Sequence, residues 1–283
     1  TPSLRVGLEL YFDGPFLVND PSQCTDEDND ITEDGNKKPD HAPLCDKNGK
    51  AYLPGKAVRG PVRSQAERIL RTLREDVACR VTDRNDACKA VYTEDEVREK
   101  EKLCMACHVF GASGWRTLVD FSDFHEVNDH QESFDQEFVA IDRFIGGVSG
   151  SAKFDAKAVY KPILKGEVTV DLDRIPLWGL GLLALTLRDL IEGDTQFGFG
   201  SGKGYAACTA KITSLTSVAL EKYKALEELR ERHKIDPDEL TQLDVSGIPR
   251  QEIQNMLGDI VGLFHTAVKE FRRSVPVQGG ING

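Results

Sequence analysis

Residues 177–192 are apolar on nearly every side when wound as a helix, with leucines at 177, 180, 182, 183, 185, 187 and 190. A helix without a polar face has to be covered on all its flanks. A bilayer is not the cover, because Pro176, Gly179, Gly181 and Arg188 interrupt the run and no stretch of about eighteen apolar residues occurs in the chain. The cover is therefore a protein core, and 283 residues with 40% apolar content supply one large core or two small ones. No basic segment followed by an apolar one opens the chain. Its start at Thr1 rather than Met leads us to expect processing or a piece of a longer polypeptide.

The rest of the chain offers strands to pack on that helix. Residues 3–12 alternate, placing Leu4, Val6, Leu8 and Leu10 on one face. The segment 13–50 is too long for a plain connector and reads as a functional or disordered loop. Tyr52-Leu53-Pro54-Gly55 then turns into a helix whose apolar positions are Val58, Val62, Ile69, Leu70 and Leu73, with Pro61 in its first turns. Residues 117–122 read as a strand, 123–138 as an acidic loop, 138–163 as a hairpin turning at 146–150, and 165–172 and 205–213 as strands, with Gly193 ending the apolar helix. This is the β-α-β-β-α-β order of ferredoxin-like folds, so the expected class is α+β over residues 1–215. A helical appendage follows over 216–274, broken at Pro237 and at Gly247-Ile248-Pro249, then a tail or linker over 275–283.

Charge is unevenly spread. Thirty-six Lys and Arg against 47 Asp and Glu leave −11, and residues 19–46 hold nine acids and two bases, a balance of −7. Residues 50–74 reverse the sign, with seven bases and only Glu67 against them, giving +6. The acidic stretch reads as a solvated loop, the basic one as the footprint of a nucleic-acid binder.

Cys79, Cys88, Cys104 and Cys107 are spaced C-x8-C-x15-C-x2-C, and the closing C-x2-C is the knuckle in which two thiolates reach one ion. We expect a closed structural zinc site, with His108 as a substitute fourth ligand and buried unliganded thiols as the alternative. Cys24, Cys45 and Cys208 read as core or loop thiols. An odd count of seven cysteines points to a reducing compartment, hence the cytoplasm. The glycine-rich run 197–205 offers backbone N–H groups and Lys203 to a phosphate, or is simply a tight turn; Phe197 and Gly204 stand where a P-loop needs Gly and Ser or Thr. Loop acids, His41, His125 and His130 are candidate acids, bases or cation ligands, each more simply a surface residue. No nucleophile elbow or zinc-protease helix appears. Unaided, the residues indicate RNA or phosphate binding with a zinc staple.

Four motifs then occur in one order: Tyr52-Leu-Pro-Gly-Lys-Ala-Val-Arg-Gly-Pro-Val-Arg63, Cys104-Met-Ala-Cys-His-Val-Phe-Gly111, Ile141-Asp-Arg-Phe-Ile-Gly-Gly147 and the glycine loop at 198–205. Together, over about residues 3–215, they resemble the RAMP (Cas-seven-like) backbone modules of type III CRISPR effector complexes. The resemblance implies a modified RNA-recognition-motif palm carrying the acidic loop (13–50), the zinc insertion (77–110) and a thumb hairpin (138–163). It implies copies laid along a CRISPR guide RNA beside neighbouring RAMP modules, with complementary target RNA cut where each thumb displaces a base. The cut needs a loop aspartate, a divalent cation such as magnesium, and attack by the neighbouring 2′-hydroxyl; Asp40, in Asp40-His-Ala-Pro-Leu-Cys-Asp46, takes that position. Lys56, Arg59 and Arg63 match the helix start that holds guide phosphates, Arg143 and Phe144 fall at the base of the thumb, and Lys203 matches the glycine-loop contact. The chain also resembles type III-E effectors in which such modules are fused in one polypeptide, some with a caspase-like protease partner. It departs from the pattern at Lys56-Ala57, at Ile145 and in the length of the acidic loop, which leaves as the alternative a non-cutting structural copy that binds guide RNA, assembles the effector and recruits a protein partner.

Overall fold

The computed structural model describes residues 2–25, 38–83, 86–88, 103–128, 132–219, 222–243 and 251–272. In chain order it holds β1 (Ser3–Phe12), β2 (Pro15–Phe16), β3 (Tyr52–Leu53), α1 (Gly55–Leu73), α2 (Met105–Phe110), β4 (Val119–Phe121), β5 (Phe124–Glu126), β6 (Ser133–Ile141) and β7 (Val148–Tyr160). There follow β8 (Ile163–Asp171), α3 (Leu177–Ile191), β9 (Cys208–Val218), α4 (Lys224–Arg232), α5 (Pro237–Thr241), β10 (Gln242–Leu243) and α6 (Gln251–Glu270).

The main sheet runs β10-β9-β1-β8-β5-β3, with β4 also on β8, and every pairing is antiparallel. β1 is central: the alternation in its sequence buries Val6, Leu8, Leu10 and Phe12 between β8 and β9. α1 and α3 join this core and meet through a buried hydrogen bond from the Gln65 side chain to Asp189, 2.6 Å. The all-apolar α3 finds its remaining cover in α6, whose Ile253, Met256, Ile260, Phe264 and Val268 are buried at helical spacing. Gly181 lets the two helices touch, since a Cβ there would lie 2.7 Å from the Ile260 carbonyl oxygen. Gly193, at φ +89°, turns the chain out of α3 where the sequence predicts its end.

The second sheet, β2-β7-β6, is the hairpin. Several expected boundaries move. The segment read as an acidic loop over 123–138 contains β5 and most of β6, because β6 half-buries only Phe134, Gln136 and Phe138 and interleaves them with Ser133, Asp135 and Glu137. The hairpin turns at 142–147, not 146–150. β9 reaches Val218, past the expected end of the α+β unit at 215. Leu73, expected on the apolar side of α1, is exposed at the helix end. His130, the break at 247–249 and the tail at 275–283 lie outside the described residues. Among those described, no helix is long and apolar enough to cross a membrane.

Candidate metal centre and nucleic-acid interface

The four cysteines predicted to act together do meet. Cys79 leaves the end of α1, Cys104 caps α2, and the Sγ atoms of Cys79, Cys88, Cys104 and Cys107 all lie within 4.8 Å of one another, buried. Cys79 and Cys107 stand 3.5 Å apart; a tetrahedral zinc with bonds of about 2.3 Å puts its sulfurs about 3.8 Å apart, so the cage fits the ion. Backbone N–H groups support the sulfurs: Cys104 donates to Cys88 at 3.3 Å, and Cys107 to Cys104 at 3.4 Å. Hydrogen bonds from Cys104, Cys107 and Cys88 draw the Cys79 thiol far below its ordinary range, while Cys104, Cys79 and Cys88 push Cys107 far above it. His108, the substitute ligand, instead packs its ring against Trp115 and Trp178, so the donor set is four thiolates. All seven cysteines are free thiols, and burial pushes Cys208 up to about 12.

Four thiolates around a dication would carry a charge of −2, and the cation that stands beside the cage is Arg63. Its guanidinium donates to Cys107 Sγ at 3.0 Å, to the Gly111 carbonyl at 2.7 Å and to Glu67 at 2.8 Å. Burial alone would lower its pKa, but the bonds to Glu67 and Cys107 raise it, so it stays cationic. Arg71 closes the set, reaching Glu67 at 3.1 Å and the Cys79 carbonyl at 3.1 Å. Arg63, expected at guide phosphates, is thus turned inward, because its position on α1 faces the cysteine knuckle and not solvent.

Of the other expected contacts, Lys56 is exposed and Arg59 half-buried at the start of α1. A groove of about 620 Å³ continues along this helix, between Ser64 and Arg68 on one wall and Thr195 and Gln196 on the other. The glycine loop behaves more as a tight turn than as a phosphate cradle: the N–H groups of Phe197, Phe199, Lys203 and Tyr205 bond to Ala206, Leu17, Gly200 and Gly200. Gly198 has φ +96°, and a Cβ there would collide with the Leu17 carbonyl. The Lys203 ammonium lies over three rings, 4.4 Å from Phe154, 5.0 Å from Phe138 and 5.1 Å from Phe199, and so links this loop to β6 and β7.

Arg143 and Phe144, expected at the thumb base, occupy its tip. Asp142 accepts the N–H groups of Phe144 at 2.7 Å and Ile145 at 3.3 Å, and this turn leaves Phe144 wholly exposed with Ile145 at 74%. An apolar tip held in water by a hydrogen-bonded turn is a feature of surfaces that meet a partner.

Asp40 is fastened to the hairpin. Its carboxylate accepts the Thr25 hydroxyl at 3.1 Å and the Asp155 N–H at 2.9 Å, and its own N–H donates to the Asp155 side chain at 3.1 Å. His41 extends the pairing, donating to the Asp155 carbonyl at 3.1 Å and accepting from Lys157 at 2.9 Å. His41 thus forms an isolated parallel bridge with Ala156 of β7. Beside it a cavity of about 560 Å³ opens between loop and hairpin, with Asp20, Cys45 and Asp46 on one side and Ser133 and Lys157 on the other. Backbone N–H groups of Asn48 and Lys50 hold the Asp46 carboxyl below the usual range. His125 stacks on Tyr52, and the His41 ring meets Phe199 at a tilt of 40°.

Sequence reasoning missed Asp155, Lys157 and the inward role of Arg63. A signal for the first two lay in Asp155-Ala-Lys-Ala158, where small buried alanines alternate with charged residues.

A family model described as the RAMP superfamily matches residues 6–208. No curated protein matches the chain. The match takes in β1, α1, the cysteine cluster, the hairpin, α3 and the glycine loop, which are the parts described above. The chain belongs to the RAMP superfamily, a family of CRISPR-associated proteins that bind RNA and assemble with other Cas subunits.

Proposed function

We propose that the chain is a guide-RNA-binding backbone module of a type III CRISPR effector that cuts complementary target RNA at its long loop. The observation that carries this reading is the hydrogen-bonded pairing of Asp40 with β7, which holds a loop carboxylate against the hairpin whose tip bears Arg143 and Phe144. The order β9-β1-β8-β4 with α1 and α3 supports a ferredoxin-like palm over residues 1–215. The helices of 216–274 cap that palm, with 275–283 as tail or linker.

Lys56, Arg59 and Lys203 meet guide phosphates, and the thumb tip intrudes between stacked bases, where an apolar wedge and a cation are favoured. At the displaced nucleotide the target's 2′-oxygen attacks the adjacent phosphorus and passes its proton to Asp40. The bond to the 5′-oxygen breaks, leaving a 2′,3′-cyclic phosphate and a 5′-hydroxyl that takes its proton from water. The four-cysteine cage holds a structural zinc. Among the described residues no group of three acidic, histidine or cysteine ligands includes Asp40, and magnesium, where it takes part, would be held by one or two carboxylates together with the RNA phosphates. Partners are the guide, the target and neighbouring RAMP modules, with a caspase-like protease where the module is part of a fused effector.

A second reading, a copy that binds guide and assembles without cutting, is favoured by the hydrogen bonds that already engage both Asp40 oxygens. The experiment is to load the assembly with guide, add labelled complementary RNA and magnesium, and compare wild type with Asp40→Asn. Loss of one cut by about 100-fold or more, with guide retained, establishes the cutting module. An unchanged cut pattern establishes the silent copy.

A further inference from the structure

We infer that Lys203 is a positioning residue for the cut: through the rings of Phe154 and Phe199, which it shares with His41, it fixes the segment of loop that carries Asp40. The inference rests on the reading that this module cuts RNA, and ties the guide contact at the glycine loop to the loop acid.

Lys203 stands on a fixed base. Its N–H donates to the Gly200 carbonyl at 2.7 Å, and Gly200 and Gly204 on either side take φ +72° and +84°, a backbone that only glycine adopts without strain. From such a turn an exposed lysine would ordinarily extend into water. Its ammonium instead lies 4.4 Å from the centre of the Phe154 ring, 5.0 Å from Phe138 and 5.1 Å from Phe199, in a box of three rings drawn from β7, β6 and the glycine loop.

Two walls of that box also seat His41. Its ring meets Phe199 at 4.5 Å between centres and Phe154 edge-on at 5.6 Å. The His41 backbone is bonded to β7 on both sides of Ala156, its N–H donating to the Asp155 carbonyl at 3.1 Å and its carbonyl accepting the Lys157 N–H at 2.9 Å. The residue before it is Asp40, whose carboxylate accepts the Asp155 N–H at 2.9 Å. A shift of the Phe154 or Phe199 ring therefore moves His41, and a shift of His41 moves the carboxylate one residue away. Lys203 is the charged group at the outer end of this series. Because it is exposed, a guide phosphate can reach its ammonium while the rings still hold its stem. Guide loaded at the glycine loop then bears on the place of Asp40, and a misplacement of about 1 Å is enough to slow a positioned step by about 100-fold.

The test is single-turnover cleavage counted per guide-loaded assembly at saturating guide and complementary RNA, because Lys203→Met also gives up a guide contact. Lys203→Met and Phe199→Leu are each expected to slow this module's cut about 10- to 100-fold, with melting temperatures within a few degrees of wild type. Lys203→Arg, whose guanidinium also stacks on rings, is expected to recover most of the rate. The double variant is expected to be at most about threefold slower than the slower single one, since both changes act through one contact. In the full chain free of RNA, Lys203→Met is expected to shift the ring-proton resonances of His41. A wild-type rate in Lys203→Met beside a lost cut in Asp40→Asn overturns the inference and leaves the cutting module standing. A normal rate in Phe199→Leu makes Lys203 a phosphate contact alone and overturns it too, as do unmoved His41 resonances or fully additive losses in the double variant. If Asp40→Asn itself cuts at the wild-type rate, the cutting module falls and takes the inference with it.

Discussion

Glu126 on β5 is 6% exposed, and no donor reaches its Oε2. Burial raises its pKa, with the charge of Lys50 opposing weakly. A carboxyl raised in the fold binds its proton more tightly folded than unfolded, so stability is highest below the ordinary Glu value and declines as pH rises through the shifted one. Glu126→Gln should therefore raise the melting temperature at pH 7 to 8 and make no difference near pH 3. A melting series that shows equal stability at pH 8 would mean that the carboxylate is better solvated than its surroundings indicate. Arg63 makes the opposite point at the same scale. One guanidinium reaches a sulfur, a carbonyl and a carboxylate, and none of these partners is its neighbour in sequence except Glu67. A basic stripe read from composition does not distinguish an arginine aimed at phosphate from one aimed at a thiolate cage.

Among elements, the α3–α6 contact is set by Gly181. Adding a Cβ there meets backbone and Phe264, so Gly181→Ala should cost about 1–3 kcal/mol, measured as a lower urea midpoint. Gly202→Ala, where a Cβ meets nothing within 4 Å, is the control and should cost under about 0.5 kcal/mol. Equal effects would place the helix contact elsewhere. That α3 is wrapped on all sides was legible, because seven leucines around one helix leave no solvent face. So was β1, whose alternation has a period of two along its whole length. β5 and β6 were not: β5 is three residues long and buries a glutamate, Glu126, while β6, a strand of the hairpin, half-buries one face and sets Ser133, Asp135 and Glu137 on the other. The cysteine cage was legible from its C-x2-C knuckle. The pairing of Asp40 with Asp155 was not, because the two lie 115 residues apart and only backbone pairing with β7 brings them together.

For the molecule as a whole, the cysteine cage sits within the main core, beside Val77, Leu103, Met105 and Phe110. A metal held there would be coupled to folding of that core. Stripping the ion with a chelator should lower the melting temperature on the order of 10 °C, at about 2–4 °C per kcal/mol for a chain near this size. Arg63→Met should hasten zinc release to a colorimetric chelator, having removed the cation that balances the cage. One zinc per chain by mass spectrometry, followed by no change in melting on chelation, would confine the ion to a decorative role. The place of β1 has a further consequence, in time rather than space. Its two neighbours, β8 and β9, are complete only at residues 171 and 218. At synthesis rates of about 5–20 residues per second the first strand waits about 10 to 40 seconds for its second partner. During that interval Leu4, Val6, Leu8 and Leu10 have no finished sheet to enter, so the nascent chain depends on whatever shields an unpaired apolar strand until the far end of the palm has left the ribosome.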